Sequence, residues 1–199
     1  MKRKVLIVGN AVLYDDLFLS RGWKMTDDIR AADLIQFTGG EDVDPSFYGE
    51  DKHPSTVSNK LRDYREFDIF NEARALNKKM AGICRGGQFL HVAHGGRMLQ
   101  DIPGHAIYGT HKARLIDTLE VMDVTSTHHQ AMAIDQDQLK ATDGYVFMLE
   151  YHDYSGLYGM WAEGIRYPNA VCFQPHPEYQ SDSRMAEVYF EEVEKLFSV

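Results

Sequence analysis

Only two cysteines occur in this 199-residue chain, Cys84 and Cys172, too few for a disulfide framework. With Cys172 inside an apolar strand-like run, a reducing compartment is the expected setting. No apolar stretch is long enough to span a membrane, and no signal-peptide pattern follows Met1-Lys2-Arg3-Lys4, so a soluble, cytoplasmic protein with no membrane partner is expected. A dense lysine or arginine stripe is also missing. The 21 basic and 30 acidic residues give a formal charge of −9, which repels phosphate backbones and argues against a nucleic-acid partner. The acidic excess reads as a solvated surface. There is no glycine-rich GxxxxGK(S/T) loop with which the chain could activate an acceptor through ATP. No repeat, low-complexity tract or linker divides the chain, and its 44% hydrophobic content suits one compact domain over residues 1–199.

What is present is an alternation of apolar, strand-like runs with stretches of helical period. That is the pattern of an α/β fold with a mostly parallel central sheet flanked by helices on both faces. Strands are expected at Val5–Val8, Leu34–Phe37, Met80–Ile83 and Ala170–Phe173. Helices are expected around Leu13–Leu19, from Asp63 to Lys79, from Arg85 to His94 and after Ser181–Ser183. Thr26-Asp27-Asp28 can cap a further turn of helix. Between Asp63 and Lys79 the apolar Phe67, Phe70, Ala73 and Leu76 recur every third position, and Lys78 and Lys79 fall where cations complement a helix dipole. Gly95-Gly96 stops the helix that begins at Arg85. In the closing helix Met185, Val188, Tyr189, Val193 and Leu196 share one face. Residues 97–165 are less legible. They hold strand-like pieces at Ala113–Ile116, Glu120–Val124 and Tyr145–Tyr151, and a loop at Ile102-Pro103-Gly104.

Chemistry concentrates just past the ends of three strands. Gly82-Ile83-Cys84-Arg85-Gly86-Gly87-Gln88 has the layout of a nucleophile elbow, a tight strand-to-helix turn that lifts one side chain clear of the backbone. The helix that follows aims its free N–H groups and positive dipole end at Cys84, which favours a thiolate. A buried structural cysteine is the alternative. Gly39-Gly40 and Pro175-His176-Pro177-Glu178 follow two other strands, and in an open parallel sheet such carboxyl ends share the edge where ligands bind. A cysteine nucleophile needs a base, and the base needs a carboxylate to fix its tautomer. His176 and Glu178, two apart in an extended segment, leave the same side of the chain. The amides of Gly40 and Arg85 are candidates for holding an oxyanion.

These residues resemble the class I glutamine amidotransferase superfamily: the elbow GICRGGQ, the later HPE, and Thr38-Gly39-Gly40 after the second strand. Within it, the similarity is nearer to free-standing cysteine gamma-glutamyl hydrolases, including those that cleave gamma-glutamyl-gamma-aminobutyrate. It is carried by Thr38-Gly39-Gly40-Glu41-Asp42-Val43-Asp44-Pro45 with Tyr48-Gly49-Glu50, by Arg62-Asp63, and by Val124-Thr125-Ser126-Thr127-His128-His129-Gln130. The chain departs from the family pattern at His91 and Thr125, where Asn is common, and in a shorter segment before Gly39-Gly40.

The resemblance implies a flavodoxin-like fold with Cys84 as nucleophile, His176 as general base and acid, and Glu178 as its orienting partner. It implies an oxyanion hole from the Gly40 and Arg85 amides, and a substrate pocket near Gln88, His129 and Gln130. A small gamma-glutamyl amide would be cleaved through a glutamyl thioester with no metal or organic cofactor. Alternatively, the same site would make ammonia from glutamine for a separate synthetase or amide ligase subunit. A non-catalytic binding domain is the third reading. Neither His91 nor His94, three apart on a helix, has a carboxylate or cysteine constellation nearby in sequence, so no metal site is expected there.

Overall fold

The computed structural model describes residues 2–151 and 158–198. In chain order the strands are β1 (Lys4–Val8), β2 (Lys24–Met25), β3 (Leu34–Phe37), β4 (Lys79–Ile83), β5 (Met98–Leu99), β6 (Gly109–Leu115), β7 (Val121–Ser126), β8 (Ala131–Met132), β9 (Tyr145–Tyr151), β10 (Tyr158–Tyr167) and β11 (Ala170–Phe173). The helices are α1 (Tyr14–Ser20), α2 (Lys60–Ala75), α3 (Arg85–Ala93), α4 (Gln136–Ala141) and α5 (Arg184–Lys195), with short 3-10 turns at Pro45–Tyr48 and Pro177–Tyr179.

The sheet runs β2-β1-β3-β4-β11-β10-β9-β6-β7. Neighbours are parallel from β2 to β11. From β11 to β7 they are antiparallel. Side chains of the central strands alternate between two apolar layers, as the period of a strand demands. Leu34, Ala81, Ile83, Val171 and Phe173 pack with Leu17 and Phe18 of α1 and Val188, Tyr189 and Val193 of α5. Ile35, Phe37, Met80, Ala170 and Cys172 pack on the other side with Phe70 and Ala73 of α2 and Phe89 and Leu90 of α3. Cys172 thus lies wholly in the core. The parallel α/β centre with a helical layer on each face is the architecture expected from the sequence.

Glycine sets how closely α3 lies on this sheet. A β-carbon at Gly86 would overlap the Phe37 carbonyl, and one at Gly82 would overlap the Gly86 carbonyl. The helix therefore rests on β3 and β4 at backbone contact, which any side chain at these positions would prevent.

Several boundaries differ from expectation. Asn59 caps α2 by accepting from the Arg62 amide at 3.2 Å, so the helix starts before Asp63. It ends at Ala75, and Asn77 at φ 52° turns the chain. Lys78 consequently does not serve the helix end: its ammonium donates to the Arg30 and Ala32 carbonyls, each at 2.7 Å, while Lys79 already belongs to β4. Thr26–Asp28 leads into a single α-turn, with the Ala32 amide donating to the Asp28 carbonyl at 3.0 Å. Strand β10 and helix α4 come from the stretch that was less legible. Among the described residues no helix is long and apolar enough to cross a membrane.

Candidate active site

Strands β3, β4 and β11 are parallel neighbours, so the turns that leave their carboxyl ends meet on one edge. Cys84 occupies the β4–α3 turn at φ 52°, ψ −119°, a region that costs a non-glycine residue about 1–3 kcal/mol. The turn is tied down on both sides. The Cys84 amide donates to the Phe173 carbonyl at 2.7 Å, and the Gln88 amide donates to the Cys84 carbonyl at 3.0 Å. The Arg85 amide is the first of α3, where an N–H has no acceptor within the helix.

Past β11, the His176 amide donates to Thr125 Oγ1 at 2.7 Å, anchoring this segment to β7. The segment is not extended as expected, because Pro177 opens a 3-10 turn through Tyr179. The turn still brings His176 Nδ1 within 2.5 Å of Glu178 Oε1. A carboxylate only accepts, so Nδ1 carries a proton and the other ring nitrogen is left for chemistry. The imidazole stacks on Tyr179, with centroids 4.6 Å apart and an interplanar angle of 1°. Burial opposes charge on His176, but the negative charge and hydrogen bonding at Cys84, together with Glu178, outweigh it and push its pKa up to about 11.

Gly39 shows how tightly these groups converge. A β-carbon there would stand 3.1 Å from His176 Cε1, 3.5 Å from Tyr14 Oη and 3.7 Å from Cys84 Cβ. The Gly39 amide donates to Tyr14 Oη at 2.9 Å. Burial first, then the Glu178 charge, raises the Tyr14 pKa far above that of a free phenol, so the hydroxyl stays protonated. Gly40 follows at φ 143°.

A buried ionic network supports both turns. Arg62 of α2 donates to the Thr38 and Gly39 carbonyls at 3.1 and 3.0 Å, to Glu66 Oε1 at 2.7 Å and to Glu41 Oε2 at 3.2 Å. Arg85, 1% exposed, is gripped by Asp63 and the other oxygen of Glu66. Asp63 in turn accepts the Asp44 amide at 3.0 Å. Through Glu66, the loop after β3 and the start of α3 are held in one ion-pair chain.

A cleft of about 200 Å³ is lined by Gly40, Glu41, Asp42, Cys84, Arg85, Gln88 and the segment Thr127–Gln130. Within it Gln88 donates to Gln174 at 3.0 Å, Gln130 donates to Thr56 at 3.2 Å, and His129 Nε2 lies 3.2 Å from Asp42. Gly40 and Glu41 also line an adjoining outer hollow of about 530 Å³, which contains Tyr14, Arg62, His176 and Glu178. All eight residues singled out from the sequence therefore fall around one place: Cys84, His176, Glu178, Gly40, Arg85, Gln88, His129 and Gln130. Tyr14, Glu66, Gln174 and Tyr179 were missed as members, and Thr125 was noted only through the resemblance. The four missed residues are ordinary helix or loop residues until the fold sets them against the groups lining the cleft. Arg62 and Asp63 carried a signal only through the resemblance.

The fold and the cysteine elbow define the chain as a class I glutamine amidotransferase-like α/β protein. A glutamine amidotransferase of Thermotoga maritima shares this fold with a TM-score of 0.65 at 18% identity, over 98% of this chain and 85% of that one. More specifically, the Peptidase C26 family matches residues 24–146, and the chain belongs to that family. Protein NtpR of Enterococcus hirae is 33% identical over 146 residues, 61% of each chain. A provisionally named glutamine amidotransferase of Mycobacterium tuberculosis is 38% identical over 122 residues, 51% of this chain and 38% of its own length. The matches thus span 61% and 38% of the length of these curated relatives, less than two thirds of each.

Proposed function

We propose that the protein hydrolyses a gamma-glutamyl amide through a thioester on Cys84. The observation that carries this reading is His176, bound to Glu178 on one ring nitrogen and gathered with Cys84 against Gly39. In the proposed reaction the Cys84 sulfur attacks the gamma-carbonyl, and the developing oxyanion takes the amides of Gly40 and Arg85. As the C–N bond breaks, His176 hands its proton to the departing amine. Water then attacks the thioester, His176 takes a proton from it, and the C–S bond breaks to release glutamate. Glu178 holds the imidazole orientation throughout.

The division of the cleft supports this assignment. The 200 Å³ pocket holds the groups for the glutamyl half: Gln88, His129 and Gln130 as donors and acceptors, and Asp42 as a counter-charge for an α-ammonium. The outer hollow beside His176 is left for the amine. Amine release from a panel of gamma-glutamyl amides tests the reading, with Cys84→Ala as the matched control.

The name of the mycobacterial relative favours a second reading, in which glutamine is the substrate and ammonia goes to a separate synthetase. Rapid ammonia release from glutamine by the isolated protein, with silence toward larger gamma-glutamyl amides, selects that alternative.

A further inference from the structure

Behind the cleft, four side chains from separate segments converge: His105 from the loop before β6, His111 on β6, His128 from the loop after β7 and Glu163 on β10. One nitrogen or oxygen from each lies within 4.8 Å of all the others. His111 Nε2 is 3.0 Å and His128 Nε2 3.8 Å from the same oxygen, Glu163 Oε1. These separations bracket the roughly 3.4 Å between tetrahedral ligands that each sit about 2.0–2.1 Å from a zinc ion.

Two of the rings are already oriented for ligation. His105 Nδ1 donates to the Pro103 carbonyl at 3.0 Å and His128 Nδ1 donates to the Gln130 carbonyl at 2.9 Å. In the neutral rings both Nε2 lone pairs then face inward, the outer-nitrogen anchoring typical of metal-bound histidine. The groups are also dry: side-chain exposure is 3% for His105, 2% for His128 and 0% for Glu163. Among the described residues His105 Nε2, His128 Nε2 and Glu163 Oε2 have no hydrogen-bond partner, and a second buried carboxylate, Glu150, places Oε1 3.5 Å from His105 Nε2. All three are acceptors, and buried acceptors facing one another call for a cation. A protonated His111 paired with Glu163 supplies only part of that need.

We propose that His105, His111, His128 and Glu163 bind one divalent first-row transition-metal ion, with zinc as the best fit. Three imidazoles and one carboxylate suit zinc, whereas calcium and magnesium call for a shell of oxygens and copper(I) for sulfur. Four protein ligands make a closed set, so the ion's role is structural. It would fasten the loop before β6 and the Thr127–Gln130 wall of the cleft to β10. The Glu163 carbonyl accepts from the Gln174 amide at 2.9 Å, and the Gln174 side chain holds Gln88. The ion would therefore brace the substrate side of the cleft without touching Cys84 or His176. This inference does not depend on the hydrolase reading.

The test is metal binding by the full chain. Protein stripped with a chelator is dialysed against zinc and its metal content measured, with magnesium and calcium as controls. A second sample takes cobalt(II), whose visible spectrum reports geometry. One zinc per chain, a tetrahedral cobalt spectrum and a zinc-dependent rise in Tm are expected. Glu163→Gln and His128→Asn are expected to weaken binding by at least about tenfold, whereas Cys84→Ala leaves it unchanged. His105→Gln, in a loop, provides a ligand variant with little risk to folding, and circular dichroism checks each protein. Absence of stoichiometric zinc in folded wild type overturns the proposal. So do equal binding by folded His105→Gln, an octahedral cobalt spectrum, or loss of the ion with Cys84→Ala.

Discussion

The guanidinium of Arg62 occupies the space that a side chain would need at Gly40. Gly40 thus serves two ends: its φ of 143° is open chiefly to glycine, and its missing β-carbon admits the cation that holds the Thr38 and Gly39 carbonyls. Arg62→Met is expected to lower kcat by about 10²-fold, the scale of losing an oxyanion donor, with a smaller change in KM. Alkylation of Cys84 by iodoacetamide, which needs no oxyanion hole, should proceed at nearly the wild-type rate. Comparable losses in both assays would show that Arg62 supports the nucleophile instead.

In the proposed reaction Arg85 supplies its backbone amide to the site, while its side chain lies in the interior. Replacing it with Met keeps the amide but strands Asp63 in the protein without its buried counter-charge and leaves Glu66 with Arg62 as its only cationic partner. A stability loss of about 3–5 kcal/mol by urea unfolding is expected. A loss well under 1 kcal/mol would contradict the network's role.

The charge on His176 is predicted to depend on Cys84. Its folded pKa lies above the ordinary value, at about 11 against 6.5, so its contribution to stability is complete below about pH 6.5 and is lost as pH rises through about 11. In NMR titrations the wild-type ring should stay protonated well into the alkaline range, and in Cys84→Ala it should titrate at lower pH. Identical titration of the two proteins would remove the electrostatic link.

His91 behaves in the opposite sense. It is wholly buried, its Nδ1 lies 2.8 Å from the Tyr167 hydroxyl, and burial lowers its pKa to about 4. Between pH 6.5 and 4 the unfolded chain binds the proton that the folded chain refuses, so stability falls as pH falls through that window. His91→Asn should lessen this acid slope, to which buried His94, also held below its ordinary pKa, contributes in the same sense. An unchanged slope would place the acid sensitivity elsewhere.

Local patterns made the parallel centre legible. Strand β11 is a continuous apolar run, and the Cys84 turn is marked by glycines that permit close backbone packing, while Cys84 itself takes the positive φ. The antiparallel half is obscure for physical reasons. Strand β10 carries Glu163 and Arg166, charges that break an apolar pattern and find partners in His111 and Glu192 only after folding. The HPE segment made the pairing of His176 with Glu178 legible but not its turned backbone, since Pro177 suits a loop or a 3-10 start equally well. Tyr14 and Thr125 meet Gly39 and His176 across 25 and 51 residues of chain, and three histidines meet Glu163 from separate segments; no local spacing encodes such meetings.

Intact-protein mass measurement during turnover of a gamma-glutamyl amide tests the central claim most directly. The account predicts a transient increase equal to one glutamyl group, mapped to the peptide that contains Cys84 and absent from Cys84→Ala, which releases no amine. Amine release by Cys84→Ala at the wild-type rate, with no adduct on either protein, would contradict it.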